Sequence, residues 1–392
     1  MIFYFLPILF AFVLSFFKVG QLDKNGNSVK WSIYILSIII FCFGYMTGSD
    51  WRSYEKMYDL ASVNELSSIR EKGFHLLMLV FKFFRFSFFP FLFFCKVFSF
   101  LAFVKFFKNF STNVFLPLAI FLSTDALFLL VDNPLRFMIA LSIALIAYTK
   151  LLDEKRIAYI LWILLAVTFH ITALILLPLI FFYKKEFKNR VLICVIFFVF
   201  FFSLTPEVMK PILKYLLPHF PVITSYYNYL STQTDFSMFA IGRIMYAFLF
   251  VLIVLNRDHI VSSTKYGKEI YNCAIIYYFV FVLCNPIPTY FRFGLFFAPF
   301  SYLALSWILS KYAQSRKTVV LTCFMASYFL FSAYSKIERA WGYIPYSNYL
   351  TYLFREKPSY SERCNYNIIK HYQRTGERIE NMCPQSKQEK KK

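Results

Sequence analysis

Apolar residues along this chain fall in long blocks separated by short polar stretches. The blocks lie near 2–17, 31–47, 114–131, 135–151, 190–204, 239–255, 270–284, 292–310 and 318–334. A bilayer crossing takes roughly 20 apolar residues, so each block is long enough, or nearly so, for a membrane helix. Two further regions are less simple. Residues 73–107 are apolar but carry Lys82, Arg85, Lys96 and Lys105. Residues 157–183 are long for one crossing and short for two. The pattern predicts an all-α polytopic membrane protein with about ten to twelve crossings.

Charge orders these crossings. If 73–107 crosses once with a re-entrant part, and 157–183 enters and returns, then Lys105, Lys108, Lys150, Lys155 and Arg156 are cytoplasmic, as the positive-inside rule favours. The same frame puts Lys184, Lys185, Arg257, Lys265, Lys311 and Arg316 inside. It leaves outer loops at 48–72 and 205–238. Residues 1–354 then form one membrane domain, and 355–392 a polar, partly disordered tail. No basic residue precedes the first run and no small-residue cleavage site follows it, so that run reads as a helix that stays rather than a cleaved signal.

Composition narrows the function classes. The chain is 59% hydrophobic and 22% aromatic, with 42 Lys plus Arg against 21 Asp plus Glu. The basic residues are scattered between spans, which speaks against nucleic acid. Their excess suits anionic lipid or a phosphate-bearing substrate. Most cysteines lie in or beside apolar runs, and none has metal-ligand spacing. Cys364 and Cys383 fall in the polar tail and would pair only in an oxidising compartment. Glycine is too scarce for a phosphate-cradling loop, and no cofactor is expected.

Candidate chemistry gathers at expected outer positions. Asp132-Asn133-Pro134-Leu135-Arg136 joins two apolar runs. Pro134 suits a first helical position, and Asp132 or Asn133 suits its cap. Arg136 then sits at a helix mouth, either as an anchor snorkelling to headgroups or facing an anion. Arg243 and Arg292 occupy similar places, and Arg52 lies in the first outer loop. Guanidinium groups match phosphate oxygens with paired hydrogen bonds, so this set could clamp a pyrophosphate in one shared pocket. Asp50, in Gly48-Ser49-Asp50-Trp51-Arg52-Ser53-Tyr54, can accept a proton from a sugar hydroxyl or simply pair with Arg52. Trp51 or Tyr54 can stack on a sugar ring. Asp132 is a second carboxylate, with helix capping as its plainer role. His170 lies within an apolar run, where a break would put it at the tip of a re-entrant hairpin.

On these residues the chain resembles the EpsG-type branch of the Wzy polysaccharide polymerases of bacterial inner membranes. The matching pieces are Gly48 to Tyr54, Asn133 to Ala140, Phe169-His170, Tyr290-Phe291-Arg292-Phe293-Gly294, and Trp341-Gly342-Tyr343-Ile344-Pro345-Tyr346. The likeness spans roughly residues 1–350. It departs at Phe137, where that family often has glutamine, and the tail beyond Ser359 has no counterpart. The resemblance implies glycosyl transfer outside the cytoplasm. The donor is a growing glycan on undecaprenyl pyrophosphate and the acceptor a repeat unit on the same carrier. The roles read from the residues fit that chemistry: Arg136, Arg243 and Arg292 would hold pyrophosphate, with Arg52, Tyr54 and Asp132 also binding substrate. Asp50 would act on the acceptor hydroxyl and His170 on sugar or phosphate, without metal. Membrane lipid and a chain-length regulator protein are the expected partners. Another lipid-linked glycosyltransferase or ligase is the neighbouring reading, and a transporter of the lipid-linked unit is the reading from another class.

Overall fold

A computed structural model describes residues 1–16, 23–65, 69–111, 113–185, 241–284, 291–311 and 316–376, with isolated positions between 191 and 215. The described residues are mostly helical, with no strand and a single bridge between Gly44 and Asn348. About half of the run at 190–204 and nearly all of the loop at 205–238 lie outside them.

The protein is an all-α membrane protein. Among the described residues, Phe88–Phe110, Leu135–Leu152 and Val319–Arg339 are long and apolar enough to cross a bilayer unbroken. Ile244–Leu255 and Arg257–Ser263 qualify together but are bent by 66°. Two other expected crossings are interrupted by π-turns. The run at 114–131 forms a helix, Phe115–Ser123, and then a π-turn, Leu127–Asp132. Ser123 and Thr124 both donate back to the Ile120 carbonyl, a side-chain habit that loosens a helix. The run at 31–47 likewise passes from a helix, Asp23–Ser37, into a π-turn, Ile38–Cys42. Single π-turns collect at functional places in helices.

Two compact units are present. The first comprises Met1–Thr149, Ile157–Ile171 and Val319–Lys392. Its helices are α1 (Ile2–Phe16), α2 (Asp23–Ser37), α3 (Trp51–Leu60), α4 (Lys72–Phe83), α5 (Phe88–Phe110), α6 (Phe115–Ser123), α7 (Leu135–Leu152) and α8 (Arg156–Phe169), followed later by Arg316–Arg339 and a closing helix, Tyr360–Thr375. Its core is aromatic. Phe103 stacks on Phe121 at 4.1 Å and Phe43 on Phe93 at 4.8 Å. Residues 73–107 resolve into α4, a turn at Arg85 with φ 60°, and α5. Lys82 does not sit in an apolar face. It donates to the carbonyls of Asp59 and Ala61 at 3.0 and 2.8 Å, closing the C-terminal end of α3, where positive charge is favoured.

The closing helix falls where a polar tail was expected. Ser359 and Glu362 form a reciprocal capping box at its start, and Gly376 ends it with φ 75°. It is amphipathic, with Arg363, Cys364, Asn367 and His371 buried. Residues from 377, including Cys383, lie outside the described residues, so the Cys364–Cys383 pairing does too.

The second unit comprises Lys150–Arg156 and Thr172–Thr318. Helix Gly267–Cys284 packs on Ala298–Lys311 and on the short helix Phe291–Leu295. Tyr246 stacks on Phe281 at 4.1 Å, and Ser301 donates to the Tyr278 hydroxyl at 3.0 Å. Asn272 ties the carbonyls of Tyr183 and Lys185 into this bundle.

Candidate functional site

Four of the motif segments meet within the first unit. Asn133 takes a left-handed conformation, φ 65° and ψ 53°, which asparagine tolerates better than most residues. That turns the chain sharply between the Leu127–Asp132 π-turn and α7. The amide of Asp50 donates to the Asp132 carbonyl at 3.1 Å, and the amide of Gly48 to the Gly342 carbonyl at 2.8 Å. Asp50 and Asp132 are thereby laid side by side at one polar break.

Gly48 makes this approach possible. Its φ is +82°, and a Cβ there would sit 1.8 Å from the Val131 carbonyl oxygen. Gly48→Ala therefore combines backbone strain with a clash against main chain. It is expected to destabilise the protein by about 3 kcal/mol, read as a lower unfolding midpoint in detergent and reduced accumulation in membranes.

Asp132 does not cap α7. Its carboxylate accepts a hydrogen bond from the Tyr343 hydroxyl at 2.6 Å. Burial pushes its proton affinity up to about 7; the Tyr343 bond opposes that, the neighbouring Asp50 charge adds to it, and Lys336 and Lys96 pull it down. A carboxyl so placed changes charge near neutral pH, as general acid–base chemistry requires. Asp50 is half-buried and accepts from the Ser49 hydroxyl at 2.9 Å.

Arg136 is the second residue of α7. Its Nη1 donates to Glu71 at 2.5 Å and its Nε to the Tyr54 hydroxyl at 3.4 Å. The side chain is 41% exposed while Glu71 is 12% exposed. Glu71 and Tyr54 orient the guanidinium, and Nη2 makes no hydrogen bond among the described residues. His170 follows the end of α8, at a break before the 3-10 turn Ile171–Leu176. Its ring meets Phe137 edge-on at 5.6 Å, which places it beside the arginine segment.

Arg52 turns inward. It is 1% exposed and donates to the carbonyls of Gly48 and Cys364 at 2.8 and 3.1 Å. Its guanidinium lies 4.7 Å from the ring centres of both Trp51 and Trp341. This arginine ties the first loop to the closing helix instead of presenting its charge outward. The same helix braces the loop elsewhere. Arg363 makes a two-pronged pair with Glu55 at 2.7 and 2.8 Å, and Asn367 bridges the Met46 and Gly342 carbonyls at 2.8 Å each.

The remaining candidate arginines belong to the second unit. Arg292 is half-buried on Phe291–Leu295 in the second unit. Arg243 begins Ile241–Leu255, and its side chain lies outside the described residues. Sequence reasoning missed Glu71 and Tyr343 as members of the site. Tyr343 stood within the Trp341–Tyr346 motif. Glu71 had only its place before the apolar run that becomes α4.

These features define a class: a helical membrane protein with two carboxylates and an oriented arginine gathered at a break between helices. The EpsG family model matches residues 31–348, most of the chain, and the protein belongs to that family. Comparison with curated proteins and with solved structures returns no match.

Proposed function

We propose that this protein is a polysaccharide polymerase of the bacterial inner membrane. In this reading it transfers a growing glycan from undecaprenyl pyrophosphate to a repeat unit on the same carrier, at the periplasmic face. The observation that carries the reading is the gathering of Asp50, Asp132 and Arg136 in one unit of an EpsG-family chain. In the reaction, an acceptor hydroxyl oxygen bonds to the anomeric carbon and the carbon–oxygen bond to pyrophosphate breaks. The hydroxyl proton passes to a carboxylate, for which Asp132, with Asp50 beside it, is suited. The leaving pyrophosphate gains negative charge, which Nη2 of Arg136 can meet. Arg243 and Arg292 are proposed to bind pyrophosphate as well, and the transfer is proposed to need no metal. Tyr54 bonds Arg136 and His170 touches the adjacent Phe137; both are proposed to position sugar or phosphate. A chain-length regulator protein is proposed as partner.

Arg136→Ala is expected to reduce polymer formation about 10²–10³-fold, the usual cost of one preorganised charge-stabilising donor. Arg136→Lys restores little, because an ammonium cannot keep Glu71, Tyr54 and a phosphate in one planar fork. The measurement is chain growth from purified lipid-linked repeat unit in proteoliposomes. Full-length polymer from Arg136→Ala sinks the assignment. Translocation of the lipid-linked unit without chain growth would replace this reading with transport.

A further inference from the structure

Lys96 lies near the middle of α5 and is wholly buried among apolar side chains. Its Nζ makes no hydrogen bond among the described residues, and the same holds for the hydroxyls of Ser99 and Ser37. An isolated charge in such surroundings is costly, so its place needs a reason. Ring contacts locate it. Phe43 against Phe93 and Tyr34 against Phe100 run α2 and its π-turn antiparallel to α5. That register sets Lys96 level with the Ile38–Cys42 π-turn, with Ser37 and Ser99 nearby. Phe103 on Phe121 runs α6 antiparallel to α5 on another side. Continuing that register sets Lys96 level with the Leu127–Asp132 π-turn. The two π-turns pack on each other. The charged or titratable groups that Lys96 faces are Cys42 and Asp132. Those that Asp132 faces are Tyr343, Asp50, Lys336, Lys96 and Tyr4.

We propose that Lys96 is a positioning residue for Asp132: a buried positive charge, seated behind two abutting π-turns, that keeps this carboxylate ionised despite Asp50 beside it. An opposite charge in a water-poor interior is felt far more strongly than in water. The lysine reaches no substrate and acts only through Asp132. Its consequence for catalysis rests on the polymerase reading, but the charge coupling itself does not.

The test reads the protonation of Asp132 directly. A hydrophobic carbodiimide modifies protonated carboxyls, and mass spectrometry of the full-length purified protein gives the fraction modified at Asp132 across a pH series. In Lys96→Met the midpoint of modification is expected to rise, by less than about one pH unit. In Lys96→Arg, which keeps the charge, it is expected to stay near the native value. The pH at which chain growth switches on is expected to move upward with the Lys96→Met midpoint. If that variant does not accumulate, Lys96→Gln serves, with a shift in the same direction. An unmoved midpoint in a folded, charge-free variant overturns the proposal. A shifted midpoint without chain growth in the native protein upholds the coupling and removes the polymerase reading instead.

Discussion

Asp132→Asn is expected to lower the rate of chain growth by about 10²–10⁴-fold, the usual contribution of a positioned acid or base. The folded protein should persist, because the asparagine oxygen can still accept the hydrogen bond that Tyr343 gives to Asp132. The substitution removes only the capacity to take a proton. The pH dependence has a definite sign. A base works when ionised, and burial holds the Asp132 carboxyl up to about 7. Activity of the native protein should therefore rise with pH through that value, and the rise should be missing from the residual activity of Asp132→Asn. Initial rates with lipid-linked repeat unit across a pH series check both points. An Asp132→Asn protein that keeps most of its rate would move the base to Asp50 or elsewhere.

Arg363→Ala is expected to destabilise the first unit by about 3–5 kcal/mol, the range for removing one partner of a buried pair. Arg363 and Glu55 are each 8% exposed. Losing the arginine leaves the Glu55 carboxylate buried without its two hydrogen bonds. It also removes a guanidinium lying 5.2 Å from the Phe89 ring centre and 5.5 Å from that of Trp51. Glu55→Ala should cost a similar amount. The double substitution should cost clearly less than the two single effects added, since neither charge is then stranded. Unfolding midpoints of the purified variants in one detergent provide the comparison. Additive effects would mean that the pair contributes little.

Much of the membrane architecture was legible because it rests on local pattern. Long apolar runs become helices whatever their neighbours, and Pro134 marks where α7 begins. The break at His170 was also visible, since a polar residue in an apolar run invites one. Other features depend on partners far along the chain. Arg52 looked like an outer-loop charge free to meet substrate. Its burial is set by Trp341 and by the carbonyl of Cys364, which no local reading connects to it. The pairing of Asp132 with Tyr343 spans a similar distance. The closing helix, by contrast, was announced by Ser359, Glu362 and Gly376, a start signal and a stop signal with a helix between them. Those signs were outweighed by the polar composition around them. The π-turns left no clear mark, because one extra residue per turn does not change apolar periodicity over so short a stretch.

The closing helix lies past the segment that the family model matches, yet its Asn367 holds the same Gly342 carbonyl that fixes Gly48. During synthesis the ribosome must therefore travel beyond residue 375 before the first loop can settle. Until then the early helices wait in the bilayer with their polar break unlocked. A stop codon placed ahead of residue 360 would thus spare every long apolar span and still leave the carboxylates without their clasp.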